Sequence, residues 1–152
     1  MIYRPYSPSD FDALFAVEEI CFEPPHRFAR SYMRKLVNNA SAAAWIAEQE
    51  GQIAGFAIVE WAREKGRIIA YLETIEVAPE WRGHGVGAEL LRLAEGSAST
   101  AGAEILWLHV DAGNRPAIRL YLTHGYLLKG REDGYYGRGR AALIYAKSLI
   151  AS

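Results

Sequence analysis

The sequence predicts a mixed α/β (α+β) domain: a mostly antiparallel sheet of about seven strands, one parallel pair near its centre, and about four flanking helices. Three observations lead there. Short apolar runs rich in Val, Ile, Trp and Tyr recur between polar, Gly-containing turns. Three of these runs follow one another across tight turns, which makes them antiparallel neighbours. Val86 to about Ser99 has a helical period and lies between two strand-like runs, so those two strands run parallel.

The elements follow in order. "MIYRPY" reads as a short strand. "SPSDFDALFAVEEICF" starts a helix, with Ser7 as N-cap, Pro8 at the first helical position, Asp10 in the first turn, and Leu14, Val17, Glu18 and Cys21 at helical spacing. Pro24-Pro25 ends it, and "FARSYMRKLVNN" recovers a helical period through Phe28, Tyr32 and Leu36. "AAWIAEQ" and "QIAGFAIVEWA" form a hairpin about Glu50-Gly51, and "REKG" turns the chain into "RIIAYLETIEVAP". "AEILWLHV" is dense enough in apolar residues to predict a strand buried on both faces. "NRPAIRLYLTHG" reads as a helix capped by Asn114, with Pro116 in its first turn and Gly125 at its stop. "YLLKG" and "AALIYAKSL" close the chain as two strands around the polar loop "REDGYYGRGR".

Composition limits the function classes. With 152 residues, 51% hydrophobic and 23% charged, residues 1–152 form a single domain. The net charge of −1 provides no field to recruit nucleic acid or an anionic membrane. No run approaches the ~18 apolar residues of a spanning helix, and "MIYRPYSPSD" lacks the pattern of a signal peptide, which gives the expectation of a cytoplasmic protein. Cys21, the single cysteine, excludes an internal disulfide and a multi-cysteine metal site and reads as a buried thiol. His26, His84 and His124 lack ligand spacing, so no metal is expected. The four tryptophans read as packing or rim residues.

"EVAPEWRGHGVGAELL" carries the chemistry. A helix that starts directly after a glycine loop presents unpaired N–H groups and the positive end of its dipole, which together hold phosphate oxygens. Gly83, Gly85 and Gly87 remove Cβ atoms that would keep a ligand away, and Arg82 adds a permanent cation. A pyrophosphate is the expected ligand. A Walker loop would need Lys-Ser or Lys-Thr after the glycines, and neither is there. Gly83-x-Gly85-x-x-Ala88, with Asp111 at the end of the next strand, satisfies the permissive dinucleotide fingerprint. However, "PEWR" separates strand from glycine, and three antiparallel strands stand where that fold would begin.

Arg82 to Gly87 also has the form R-x-x-G-x-G, and here the sequence resembles the GCN5-related N-acetyltransferase superfamily, whose pyrophosphate loop for coenzyme A reads [QR]-x-x-G-x-[GA]. "NRPAIRLYLTHGY" is similar to that family's N-x-x-A-x-x-L-Y-x-x-x-G-[FY], with Asn114, Ala117, Leu120, Tyr121, Gly125 and Tyr126 in register. The element order matches as well, so the resemblance covers essentially the whole chain. Within the superfamily the sequence looks like the ribosomal-protein-alanine and protein N-terminal acetyltransferases.

The resemblance implies acetyl-CoA as cosubstrate, coenzyme A as product, and an amine as acceptor. The parallel pair is expected to splay, with Ile75, Glu76 and Val77 lending backbone to the cofactor and the Val77 N–H serving as oxyanion donor. Arg82, Gly83, His84, Gly85, Val86 and Gly87 are expected around the pyrophosphate, Asn114 on the coenzyme arm, and Tyr121 as general acid. His109 in "LHV" with Tyr71 in "YLETIEV" resembles the base pair of some N-terminal acetyltransferases. Glu73 ranks second and Glu76 remains open. Strand alternation puts Glu73 on the face of Tyr71 and Glu76 on the other. Acceptor contacts are expected from "FEPPHRF", including Phe22 and Glu23, and from Tyr135 and Tyr136. The favoured acceptor is a peptide or protein N-terminal α-amine. A small amine (polyamine, amino acid or antibiotic-like) and a non-catalytic acyl-CoA-binding module are the alternatives. No nucleic-acid or membrane partner is expected, and monomer and homodimer both stay open.

Overall fold

A computed structural model describes residues 1–150. The chain runs β1 (Ile2–Pro5), α1 (Phe11–Cys21), α2 (Arg30–Asn38), β2 (Ala42–Gln49), β3 (Gln52–Glu64), β4 (Arg67–Val77), α3 (Val86–Thr100), β5 (Ala103–Asp111), α4 (Arg115–Thr123), β6 (Leu127–Glu132) and β7 (Ala142–Ser148). The seven strands form one sheet in the order β1-β2-β3-β4-β5-β7-β6, in which only β4 and β5 are parallel. Seven strands, four helices and one parallel pair agree with the sequence reading. The two early hairpins form because Glu50-Gly51 and Lys65-Gly66 hold positive φ at both central positions, 52° and 79° in one and 49° and 80° in the other. That turn has the twist of the strands it joins.

α3 lies on one face of the sheet, setting Leu91, Ala94 and Ala98 against Val59, Ala70, Leu72 and Leu106. α1 and α2 cover the other face, where Phe11, Leu14, Phe15, Met33 and Leu36 pack on Ile46, Phe56 and Ile58. Three sequence expectations shift here. α1 begins at Phe11, after a 3-10 turn at Pro8–Asp10, because Asp10 is occupied by the Ser7 N–H at 2.8 Å and the Arg4 guanidinium at 2.8 Å. Phe28 precedes α2, so the buried stripe of that helix is Met33 and Leu36 and not Tyr32, which is exposed. β5 is buried on one face only. Leu106, Leu108 and Val110 enter the core, while Trp107 and His109 on the other face are half-buried beside a cleft that no helix fills.

Two irregularities position the site. β4 pairs with β5 from Ile68 to Tyr71, opposite Ala103 to Trp107, and no further. Beyond that point β5 continues with β7 and β4 with β3, and a wedge opens between them. The second irregularity is a bulge. Ile58 pairs with Thr74 and Val59 with Leu72, so Glu73 has no partner across β3. An extra residue reverses the side-chain parity of everything after it. Thr74 and Glu76 consequently face α1, on the same side as Tyr71, which corrects the simple alternation expected for Glu76.

β3 also approaches β4 closely. A Cβ on Gly55 would stand 2.5 Å from the Glu76 carbonyl oxygen. Gly55→Ala should force the strands apart and cost about 1–3 kcal/mol of stability, measured as a lowered urea midpoint with an unchanged slope.

Candidate active site

The wedge leads into a cleft of about 780 Å³, lined by Ile75 to Val77, the loop after β4, the first turn of α3, Asn114 and Tyr121. Its backbone follows from the ladder. Ala78 N–H donates to the Ala54 carbonyl at 2.8 Å, so alternation turns the N–H and C=O groups of Ile75 and Val77 away from β3 and into the wedge. The Val77 carbonyl there accepts from Arg82 Nε at 3.0 Å and receives the Cys21 thiol at 3.8 Å. Arg82 is thus folded back onto β4, with its other nitrogen 3.6 Å from Cys21 Sγ. Cys21 is half-buried at the cleft edge and not in the core, because α1 ends there and opens onto the wedge.

Gly85 caps α3 at φ 79°, without a side-chain cap, and the first helical bond is Glu89 N–H to the Gly85 carbonyl. The N–H groups of Gly85, Val86, Gly87 and Ala88 have no acceptor among the described residues, and they are the groups that a dianionic pyrophosphate would occupy. Asn114 caps α4 through Oδ1, which accepts from Ala117 N–H at 3.3 Å, and its amide nitrogen stays available. The Tyr121 hydroxyl makes no hydrogen bond to the described residues. Burial, with the Tyr136 phenol next to it, pushes the Tyr121 phenol up from its ordinary value.

A second cleft, of about 720 Å³, opens on the α1/α2 face. Its walls are mainly aromatic, from Phe28, Tyr32, Trp61, Tyr71, Trp107, Tyr135 and Tyr136, and Glu60 and Glu73 also reach it. Tyr71 and His109 meet here, with the hydroxyl 2.9 Å from Nδ1. Tyr135 lies parallel over the imidazole, with ring centroids 4.2 Å apart. Burial raises the Tyr71 phenol strongly, helped by Tyr135 and Glu73. Glu73 accepts from the Tyr32 hydroxyl at 3.0 Å, and burial followed by the neighbouring Glu60 carboxyl pushes it up to about 8.

Glu76 is 3% exposed and Glu18, from α1, 1%. Thr74 donates to one Glu76 oxygen at 2.8 Å and the Phe28 N–H to one Glu18 oxygen at 2.9 Å. The remaining oxygen of each is buried and has no hydrogen-bond partner among the described residues. Burial and then Glu18 hold Glu76 well above the usual carboxylate range. None of Glu18, Glu60, Glu73 or Glu76 has an Arg, Lys or His partner among the described residues.

The structure gathers most of the residues singled out in the sequence into these two clefts. Ile75, Glu76, Val77, Arg82, Gly83, Gly85, Val86, Gly87, Asn114, Tyr121 and Phe22 line the first, and Tyr71, Glu73, His109, Tyr135 and Tyr136 the second. His84 and Glu23 line neither; the His84 ring turns back to the Trp81 and Arg82 carbonyls. Sequence reasoning missed Tyr32, Glu60, Trp107 and Glu132. Glu60, like Glu73, interrupts an apolar strand, which is the one signal that could have found it. No group of His, Cys, Asp and Glu among the described residues could hold a metal ion, and no described helix is long and apolar enough to cross a membrane.

Residues 11–126 match the profile of the acetyltransferase (GNAT) family. The chain is 40% identical over 87 residues to streptothricin acetyltransferase of Streptomyces lavendulae, a match spanning 57% of this chain and 45% of that protein. It is 24% identical over 154 residues to an N-alpha-acetyltransferase of Sulfurisphaera tokodaii, covering 93% of this chain and 89% of that one. Its fold superposes on Arabidopsis thaliana NAA60 in complex with acetyl-CoA with a TM-score of 0.85 at 22% identity, covering 97% of each chain.

The raised carboxyls fix how stability depends on pH. A group whose folded pKa exceeds its unfolded value binds more protons in the native state, so stability falls as pH rises from the unfolded to the folded value. The melting temperature should therefore decline from about pH 4.5 upward, through about 8 for Glu73 and over the raised range of Glu76. Glu73→Gln should flatten this decline, as read from thermal melts across pH.

Proposed function

Since the chain belongs to the acetyltransferase (GNAT) family and is an acetyl-CoA-dependent N-acetyltransferase, we propose that its acceptor is the α-amine of a peptide or protein N-terminus. The observation that carries this reading is the Tyr71–His109 hydrogen bond, 2.9 Å long, inside a slot walled by Tyr32, Tyr135 and Tyr136. Phenols along an open slot can hydrogen-bond the backbone of an extended peptide while their rings cover its side chains. The name of the Sulfurisphaera relative points the same way.

Each step uses a group of this chain. The free N–H groups at the start of α3 hold the pyrophosphate, and the wedge-facing backbone of Ile75 and Val77 aligns the acyl arm. Val77 N–H donates to the carbonyl oxygen as negative charge grows on it. Tyr71 and His109 accept the proton of the acceptor nitrogen, directly or through a water. Glu73 is a weaker candidate for that role, since burial and Glu60 keep it largely protonated at neutral pH. Tyr121, whose raised pKa holds its proton firmly and whose hydroxyl is otherwise unbonded, donates to the departing sulfur. Asn114 offers its free amide to the coenzyme arm, with its capping bond fixing its orientation.

One observation favours a second reading, a small cationic amine as acceptor. Glu60 and Glu73 line the slot without a cationic partner, and the local match to streptothricin acetyltransferase is 40% identical.

Thiol release from acetyl-CoA, measured with a panel of short peptides and a parallel panel of small amines, separates the two. Release with peptides that is lost when their α-amine is blocked supports the first reading, and release with small amines alone replaces it. Tyr121→Phe should lower kcat by about 10²-fold or more with little change in the acetyl-CoA KM, in line with a positioned general acid. His109→Ala should lower kcat similarly. Unchanged kcat in either variant would overturn that assignment.

A further inference from the structure

Glu132 closes β6 and belongs to no motif in the sequence. Its Oε1 lies 3.0 Å from Nε2 of His109, while Nδ1 of the same ring lies 2.9 Å from the Tyr71 hydroxyl. The His109 side chain is 8% exposed and that of Glu132 is 48%. Both ring nitrogens are therefore committed, and the ring face is covered by Tyr135.

We propose that Glu132 is a positioning residue that fixes neutral His109 as the Nε2–H tautomer and so aims the Nδ1 lone pair at Tyr71. This rests on the reading of Tyr71 and His109 as the base. An ionised carboxylate can only accept hydrogen bonds, so its contact with Nε2 places a proton there. A neutral imidazole then carries its lone pair on Nδ1, and the Tyr71 O–H donates to it. The opposite tautomer would set two acceptors 3.0 Å apart across the Nε2–Glu132 contact and would turn the Tyr71 oxygen into the acceptor of Nδ1–H, so the Glu132 contact is what decides between them.

Direction follows from the tautomer. With its hydrogen committed to Nδ1, the Tyr71 oxygen presents lone pairs to the cleft. As the acceptor nitrogen gives up a proton, an N–H bond breaks and an O–H bond forms on Tyr71. The original Tyr71 proton passes to Nδ1. Tyr71 ends neutral, and His109 ends as an imidazolium beside the Glu132 carboxylate, so the charges balance. Glu132 is half-exposed and its field is screened, so it acts mainly by orienting the ring. The β6–β7 hairpin thus supports the base as well as the acceptor, with Glu132 holding the edge of the imidazole and Tyr135 its face.

The test is nitrogen NMR of the whole protein, labelled at histidine, without cosubstrate or acceptor, at a pH where imidazoles are neutral. The His109 signals are identified by their loss in His109→Gln. Wild type should show the Nε2–H tautomer, and Glu132→Gln should keep it, since the amide oxygen still accepts. Glu132→Leu should shift His109 toward a mixture or toward Nδ1–H. In turnover of acetyl-CoA with the most active acceptor of the two panels, Glu132→Leu should lower kcat at least about tenfold, a part of the ~10²–10⁴ that a positioned base contributes. The acetyl-CoA KM should hold, and Glu132→Gln should recover most of kcat. An Nδ1–H tautomer in wild type, or one unmoved by Glu132→Leu, overturns the proposal. A shifted tautomer with unchanged kcat upholds the hold of Glu132 on the ring and overturns His109 as base.

Discussion

The parting of β4 from β5 after Tyr71 and Trp107 is the constraint on which the rest of the molecule depends. Separating two central strands strands backbone donors and acceptors that a sheet would pair, and each group left unsatisfied away from water costs roughly 1–3 kcal/mol. The protein meets part of that cost itself. Arg82 reaches back to the Val77 carbonyl, and Cys21 lies against it. Past the bulge at Glu73, β4 stays paired on its other edge with β3, whose close approach at the Glu76 carbonyl needs Gly55 to have no side chain. What stays unpaired in the wedge is a ladder edge of defined spacing, and an extended amide-bearing chain is its natural complement.

The two clefts beside this fork differ in composition for physical reasons. The proposed cofactor side is built from glycine, backbone N–H groups and a helix N-terminus, which suit phosphate through dipoles that need no titration. The proposed acceptor side is built from aromatic rings and carboxyls, and its charge depends on protons. Glu76 beside Glu18 and Glu73 beside Glu60 sit without counter-cations, so burial and the neighbouring carboxyl favour the protonated form of Glu76 and of Glu73. The first pair also fastens the connection between α1 and α2 to β4, since Glu18 takes the Phe28 N–H while Thr74 fixes Glu76. Protonation there is a matter of structure as much as of chemistry.

Much of this was legible in the sequence wherever the signal was local. Glu50-Gly51 and Lys65-Gly66 fixed two hairpins because only the primed turn fits those residues. Gly83, Gly85 and Gly87 pointed to an anion because they bare the backbone where a helix starts and its N–H groups are unpaired, although Gly83 and Gly85 also serve the turn through their positive φ. Tyr71 and His109 were paired through the family resemblance; in the structure Tyr71 is level with Trp107, and His109 stands two residues further along the same face of β5. Signals that depend on pairing register stayed hidden. The unpaired Glu73 moved Glu76 to the face of Tyr71, and a bulge leaves no mark in a strand of ordinary composition. Glu132 reached His109 only because β6 takes the outer edge beyond β7, a placement that sequence order conceals. Tyr32 looked like a core residue until α2 began two residues after Phe28 and turned it outward.

Proton control ties the acceptor cleft to the proposed chemistry. An amine arrives as an ammonium, and a strongly anionic cleft would bind that cation well but also hold its proton, opposing the nucleophile it must yield. Aromatic walls attract the cation through their faces without offering it a base. Glu73, pushed up to about 8 by burial and by Glu60, is mostly neutral at physiological pH, so the cleft carries less negative charge than its count of carboxyls suggests. In the proposed mechanism the proton is accepted where a lone pair is aimed and unshared, at Tyr71 backed by His109, and the positive charge left behind moves away from the acceptor nitrogen toward Glu132. Keeping the attraction diffuse and the basicity at one point allows a single cleft both to gather a cation and to deprotonate it.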